Sequence, residues 1–195
     1  MTSGAERSTE RIQDEVAILA YRAGDFSALS GLISRWQKRI YWYIQTILHD
    51  ETAAWDVAQE VWVAAVSGLS ASRPVENFPG WIYSLAHNKA VSHLRKVRRA
   101  AKHEADFADT NTDPSAESPD QLSIAEEAEL VRSCLQEVPL PHRETLALFY
   151  LNDIPLAEIA RIQKAPPGTI QSRLHYGRKR MKEILLNRGY RHDKP

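Results

Sequence analysis

An acidic segment near the middle of the chain limits how the chain can fold, because it separates two stretches that can each build a core. Residues 104–129 carry nine acidic side chains and no Lys or Arg, and the part before Pro119 lacks apolar periodicity. Such a segment buries too little apolar surface to offset the entropy lost on ordering. We therefore predict a linker with little structure at 104–120, between a domain at 11–103 and a domain at 121–190.

Apolar residues recur every three or four positions in both of these stretches, as on one face of an α-helix. The spacing predicts four helices in the first domain, the third of them short, with Pro79 in the first turn of the fourth helix. It predicts further helices in the second domain, and the sequence shows no strand-like alternation of useful length. The fold class expected is all-α, with two small helical domains.

Composition excludes several classes of protein. Hydrophobic residues make up 43% and charged residues 26% of the chain, which is typical of a globular protein. Cys134 is the only cysteine, so no internal disulfide can form, and a reducing compartment fits best. Residues 1–10 lack the apolar core of a signal peptide, and no apolar run is long enough to span a membrane. We expect a cytoplasmic protein without membrane insertion.

Lys+Arg and Asp+Glu are equal at 25 each, but this balance hides a basic block that precedes the acidic one. Residues 89–102 carry six basic side chains and no acid. A basic helix suits DNA phosphates, although cations are also favourable at any helix C-terminus. Phe78, Trp81 and Tyr83 stand at the start of the same helix. Rings beside a basic track can stack with unpaired bases, and core packing is the alternative expected for at least one of them.

A short helix, a tight turn and a longer basic helix at 155–186 have the layout of a helix-turn-helix. The sequence Ala-Pro-Pro-Gly at 165–168 forces the turn. At about 100° per residue, the apolar side chains of the last helix face the core and leave amide, hydroxyl and cationic groups outward. Such a face suits the major groove, where Gln171, Ser172 and His175 are the candidates for base contacts. A solvated basic helix that binds nothing is the alternative.

The third helix carries Asp56 and Glu60 one turn apart, with His49 nearby, and this spacing is compatible with a hard metal ion. A metal site needs more ligands within reach. A polar face between Trp55 and Trp62 favours a docking surface for a protein partner instead. We predict no metal ligand, no catalytic residue and no cofactor.

Two groups of motifs resemble the extracytoplasmic-function sigma factors, part of the sigma-70 family of bacterial RNA polymerase. The first group is similar to the second conserved region of that family and the second group to its fourth, in the right order over residues 11–190. The motifs are DVAQEVW at 56–62, FPGWIYSLAHNKA at 78–90 and Leu94-Arg95 in the first group, and LQEVPLPHRE at 135–144, EIA at 158–160 and GTIQSRL at 168–174 in the second.

The resemblance implies a four-helix region 2-like domain and a helix-turn-helix region 4-like domain without enzymatic activity. It implies three partners, which are core RNA polymerase through its clamp and flap, promoter DNA, and an anti-sigma factor. The clamp surface would comprise Asp56, Gln59, Glu60 and Trp62. The surface that opens and reads the minus-ten element would comprise Asn77, Phe78, Trp81, Tyr83, Asn88, Lys89, Arg95, Lys96, Arg98 and Arg99. The surface that reads the minus-thirty-five element would comprise Thr169, Gln171, Ser172, Arg173, His175, Tyr176, Arg178 and Lys179.

Two other functions stay open at this point. A free-standing helix-turn-helix regulator would bind duplex DNA as a dimer and use its first domain for dimerisation. A metal-dependent enzyme would rest on Asp56 and Glu60 alone. The acidic linker adds a separate hypothesis, since it could enter a basic nucleic-acid channel of the polymerase or fold back and mask the basic helices.

Overall fold

The computed structural model describes residues 4–70, 75, 77–104 and 124–190, and these form helices without any strand. The all-α fold class is confirmed. Apart from Glu104, the predicted linker and its masking role lie outside the described residues. Within those ranges, no helix is both long and apolar enough to cross a membrane. The helices are α1 (Gly4–Arg22), α2 (Phe26–Leu48), α3 (Glu51–Ser70), α4 (Phe78–Glu104), α5 (Ile124–Gln136), α6 (Leu140–Leu146) with a π-helical turn after it (Ala147–Leu151), α7 (Leu156–Ile162) and α8 (Pro167–Asn187).

Helix α2 is the centre of the N-terminal bundle, α1–α4, and contacts the other three helices. Its buried face repeats every three or four residues through Trp36, Ile40 and Tyr43. The helix begins after Asp25, whose carboxylate accepts the N–H of Ser27 at 2.9 Å and so caps the first turn. The local sequence therefore determines both where this helix starts and which face it buries.

The prediction that α3 is short is wrong, because the helix runs for 20 residues. Its predicted start is confirmed, since the carboxylate of Asp50 accepts the N–H of Ala53 at 2.9 Å. The apolar face continues from Ala65 to Leu69, and both side chains are fully buried. Burial of this additional turn extends the helix to its end at Ser70.

Asp14 is a buried acid that the apolar pattern did not reveal. One oxygen of its carboxylate accepts a hydrogen bond from Arg35 Nη1 at 2.5 Å and another from Trp36 Nε1 at 3.1 Å. Burial raises the pKa of Asp14, and the donors on Trp36 and Arg35 oppose that shift. The carboxylate thus fixes α1 against α2 through two different side chains.

The C-terminal bundle, α5–α8, contains the predicted helix-turn-helix. Helix α8 begins at Pro167, within the turn expected from the sequence, because a proline in the first turn needs no partner for its nitrogen. Helices α6 and α8 approach closely at Gly177, where a Cβ atom would lie only 3.0 Å from Cγ of Leu146. Cys134 is fully buried, as expected of a small apolar side chain.

The two bundles pack directly on each other and share one core, although the sequence predicted two domains joined by a linker. The cluster around Trp36 and Tyr43 continues into Leu148, Ile159 and Ile170 of the C-terminal bundle. A second cluster lies within the C-terminal bundle. The relative position of the bundles is therefore set by apolar contact as well as by the covalent connection.

His49 predicts a specific pH dependence of stability. It follows α2 in the left-handed conformation, with φ of 58°. The residue is exposed, but partial desolvation of its side chain together with the nearby Arg143 lowers its pKa to about 4. The unfolded chain therefore binds more protons below pH 6.5, and stability falls as the pH drops from 6.5 towards about 4. We expect His49→Asn to lose less stability across this window, because asparagine tolerates the left-handed conformation but does not titrate. Urea unfolding of both proteins at each end of the window measures the difference, and equal losses would contradict the assignment.

Candidate nucleic-acid interface

Helix α8 presents the polar face that the sequence predicted. Gln171, Ser172, His175 and Lys179 are exposed, and Tyr176 is 58% exposed beside the ring of His175. The opposite face is buried in the C-terminal bundle. An amide, a hydroxyl, an imidazole and cations on one exposed face can donate and accept hydrogen bonds along a major groove and reach its phosphates.

The start of α8 is held in place by polar contacts to the two preceding helices. Arg173 is half-buried and donates from Nη1 to Oε1 of Gln163 at 2.7 Å, and the same oxygen accepts the hydroxyl of Thr145 at 3.1 Å. The predicted contact Thr169 is also half-buried. Arg178 is exposed. Arg173 therefore fastens α8 to the preceding helices, whereas Gln171, Ser172, His175 and Arg178 are exposed and open to a ligand.

The second half of α4 carries the basic block on its exposed surface. Asn88 and Arg95 are seven residues apart, so they share one face of the helix, and both are exposed. Lys96, Arg98 and Arg99 are exposed as well. The exposed cations thus follow the amide of Asn88 along α4. The cations can hold the phosphates of a DNA strand while the amide contacts a base.

The aromatic residues at the start of α4 do not form the open stacking surface that the sequence suggested. Phe78 is 1% exposed and Tyr83 fully buried, and both rings pack edge to face on Trp36 of α2. The stacking role expected of these two residues is therefore wrong for this arrangement, because neither ring has a face free for a base. Trp81 and Asn77 are half-buried, and Trp81 lies over Gly68 of α3.

Helix α3 places the predicted docking residues on its outer side. Asp56, Gln59 and Glu60 are exposed, and Trp62 is half-buried against the core. Glu60 accepts a hydrogen bond from Lys89 of α4 at 2.9 Å, and that ammonium holds the pKa of Glu60 below its ordinary value. The contact joins the candidate docking surface to the basic helix α4. Among the described residues, no group of three or more potential metal ligands is found.

Contacts between the bundles are the part of this region that the sequence did not indicate. Glu144 of α6 is buried and contacts the hydroxyl of Tyr43 and the ring of His87. Lys164, in the turn before α8, donates to Oδ1 of Asn88 at 3.1 Å. The amide oxygen of Asn88 thus accepts a hydrogen bond from a lysine of the other bundle, while the residue itself stays exposed.

Comparison with known proteins identifies both bundles. Residues 32–100 match the family model described as sigma-70 region 2, and residues 128–181 match sigma-70, region 4. The chain is 29% identical over 181 residues to the RNA polymerase sigma-H factor of Pseudomonas aeruginosa, covering 89% of this chain and 94% of the relative. It is 26% identical to the ECF RNA polymerase sigma-E factor of Escherichia coli, covering 87% and 93% of the two chains.

Two solved structures share the fold. CnrH, in complex with the cytosolic domain of CnrY, superposes with a TM-score of 0.64 at 20% identity, over 90% of this chain and 98% of that one. The sigma factor RpoE from Bartonella quintana, in complex with the anti-sigma factor NepR, gives 0.67 at 17% identity over 85% and 98%. The chain therefore belongs to the sigma-70 family, as a sigma factor of the extracytoplasmic-function type that serves promoter recognition rather than an enzymatic reaction.

Proposed function

We propose that this sigma factor divides promoter recognition among three surfaces of the two bundles. Asp56, Gln59, Glu60 and Trp62 on α3 dock on the clamp of core polymerase. The exposed residues of α4, from Asn88 to Arg99, bind the minus-ten element and hold it open, with Trp81 and Asn77 beside them. The outer face of α8 reads the minus-thirty-five element as duplex DNA. The protein acts in the cytoplasm, and an anti-sigma factor is a further partner.

The observation that carries the proposal is the outer face of α8. It is exposed, polar and basic, and it follows a short helix and a tight turn that leave it free to enter a major groove. On α4, by contrast, an exposed amide stands beside exposed cations on a bundle that also carries the docking residues of α3. Such a surface suits a single strand held against the polymerase, because phosphate contacts fix the strand while the amide reads a base.

Gln171 provides a direct test of the role of α8. Promoters are first selected from a random duplex library with core polymerase and the full chain, and binding and transcription are then measured on the selected DNA. We expect Gln171→Ala to weaken binding to selected promoters by about 1–3 kcal/mol and to relax base preference at one minus-thirty-five position. Selection of the same element with unchanged affinity would show that Gln171 does not read bases.

Arg178→Ala is the matched comparison, since it removes a phosphate contact from the same helix. We expect it to weaken binding about equally on all sequences and to reduce the salt dependence by about one ion. A chain that binds the selected duplexes alone but never directs initiation with core polymerase would instead be a free-standing regulator.

A further inference from the structure

Helix α1 exposes a row of apolar side chains to solvent. We call this row the outer stripe, and its members are Ile12, Val16, Leu19 and Ala23. The three large side chains are 60%, 59% and 64% exposed in that order, and Ala23 is exposed as well. A monomeric protein rarely leaves large apolar side chains together in water, so the outer stripe indicates a binding surface.

The outer stripe lies on the side of α1 that faces away from its own bundle. At about 100° per residue, the four side chains point within about 60° of one another, and the buried Asp14 and Ile18 point roughly 150° away from them. The apolar spacing that predicts this helix from the sequence therefore belongs largely to an outward face. A partner can approach the outer stripe without meeting the rest of the N-terminal bundle.

The spacing of the outer stripe fits a second helix as its occupant. Successive members are four, three and four residues apart. Alternation of three and four is the repeat of a coiled coil, in which each such side chain packs between four side chains of the facing helix. The bundle already holds α1 folded, so little ordering entropy opposes its association with a helix of the same repeat.

A second copy of α1 supplies that repeat, and the two helices match when they run antiparallel. Val16 of one copy then lies opposite Leu19 of the other, and Ile12 lies opposite Ala23. Large and small side chains alternate along the pair, which lets the two rows interdigitate. The arrangement has two-fold symmetry, so each copy uses the same surface and no unpaired surface is left to recruit a third copy.

Charges beside the outer stripe favour the antiparallel pair. In that register Glu15 of each copy faces Arg22 of the other, and both residues are exposed, so the pair gains two contacts between opposite charges. Arg22 also donates from Nε to the carbonyl oxygen of Leu69 at 2.9 Å, which holds the guanidinium at the end of α1. A parallel pair would set Glu15 beside Ala20 and gain neither contact.

We propose that two copies of this chain pair through the outer stripes of α1, as an antiparallel helix pair that forms a reversible homodimer. The dimer does not depend on the function proposed above, because none of the residues assigned to polymerase or DNA lies on α1. Three large side chains per copy, each about 60% exposed, bury about 600 Å² in the pair. A permanent dimer buries about 1,200 Å² or more, so we expect a dissociation constant on the order of 10–100 µM.

The first measurement is the mass of the full chain by sedimentation equilibrium, from about 1 µM to about 500 µM. We expect the average mass to rise with concentration from 22.1 kDa towards twice that value. Leu19→Lys places a charge in two layers of the pair and should weaken association at least about tenfold. A parent chain that stays monomeric throughout, or a Leu19→Lys variant that dimerises like the parent, would overturn the proposal.

Val63→Lys is the matched control, because it changes an apolar residue of α3 that is 69% exposed and lies outside the outer stripe. We expect this variant to dimerise like the parent. Circular dichroism verifies that both lysine variants keep their helices, as expected for substitutions of exposed side chains. If Val63→Lys weakens association as much as Leu19→Lys does, the pairing is not specific to the outer stripe.

Glu15→Arg and Arg22→Glu test the antiparallel register. Each variant alone places like charges at both contacts of the pair, so each should associate about fivefold more weakly than the parent. A mixture of the two variants restores opposite charges at both contacts and should associate about as tightly as the parent. Arg22→Glu also loses the contact with Leu69, but this loss is the same alone and in the mixture. A mixture that associates no better than the separate variants would overturn the antiparallel pairing.

Transcription with core polymerase tests the proposed function separately, since sedimentation of the chain alone decides the dimer. A dimeric chain that never initiates would refute the function and leave the dimer intact. We expect Leu19→Lys to initiate like the parent, because the outer stripe belongs to none of the three surfaces proposed for promoter recognition. A folded Leu19→Lys variant that no longer initiates would assign the outer stripe to the polymerase instead of to a second copy.

Discussion

Replacing Gly177 with leucine is expected to lower the free energy of unfolding by about 2 kcal/mol and to abolish binding of duplex promoter DNA. A Cβ atom at this position would lie 3.0 Å from Cγ and 3.1 Å from Cδ1 of Leu146, and 3.4 Å from Cβ of His142. Overpacking of about 3 kcal/mol outweighs the gain of about 1 kcal/mol in helix propensity when glycine is replaced. To relieve this steric overlap, α8 must move away from α6. That movement tilts the face of α8 that carries Gln171.

Gly168→Ala is the matched control, because it changes a glycine of the same helix where no atom lies within 4 Å of the added Cβ. We expect this variant to be as stable as the parent or more stable by up to about 1 kcal/mol, with duplex binding retained. Thermal unfolding and binding to a selected duplex are measured for both. If the two glycine variants behave alike, the close crossing of α6 and α8 does not set the position of the recognition helix.

Most of the helical architecture could be predicted from the sequence, because the signals are local. The caps at Asp25 and Asp50 lie within a few residues of the helices they start, and the prolines before α8 define its first turn. The outer face of α8 was predicted in the same way, since its apolar residues determine which side is buried.

Charge and composition could not predict whether the aromatic side chains of α4 are buried or exposed, because a ring beside basic residues can face either the core or the solvent. A signal was nevertheless present in the spacing of α4. Phe78, Ile82 and Ala86 are four residues apart, and all three are buried. Extending the apolar series back by one turn would have placed Phe78 in the core and left Trp81 as the more accessible ring.

The contacts between the bundles lie beyond local sequence signals. Glu144 meets Tyr43 across 101 residues and His87 across 57, and a single acid on a short helix gives no indication of such partners. The predicted linker even favoured independent domains. Apolar burial across the interface decides the arrangement, and it depends on how two finished bundles fit rather than on the pattern of either one.

Glu144→Ala is expected to lower the free energy of unfolding by about 1–3 kcal/mol and to uncouple the unfolding of the two bundles. The variant leaves the hydroxyl of Tyr43 without its acceptor in a fully buried position, and His87 loses the carboxylate. When the two bundles separate, water reaches both groups. The measured loss of stability therefore cannot exceed the free energy of packing between the bundles. Calorimetry should change from one transition to two.

A double-mutant cycle with Tyr43→Phe shows whether the loss comes from this hydrogen bond. In the parent, Tyr43→Phe removes the hydroxyl that donates to Glu144 and should be destabilising by about 1–3 kcal/mol, because the carboxylate loses a donor. In the Glu144→Ala background the same change removes a group that has no partner, so it should cost little or stabilise the protein. The coupling energy expected is about 1–3 kcal/mol. Additive effects would mean that the two side chains stabilise the protein separately, through packing on their own bundles.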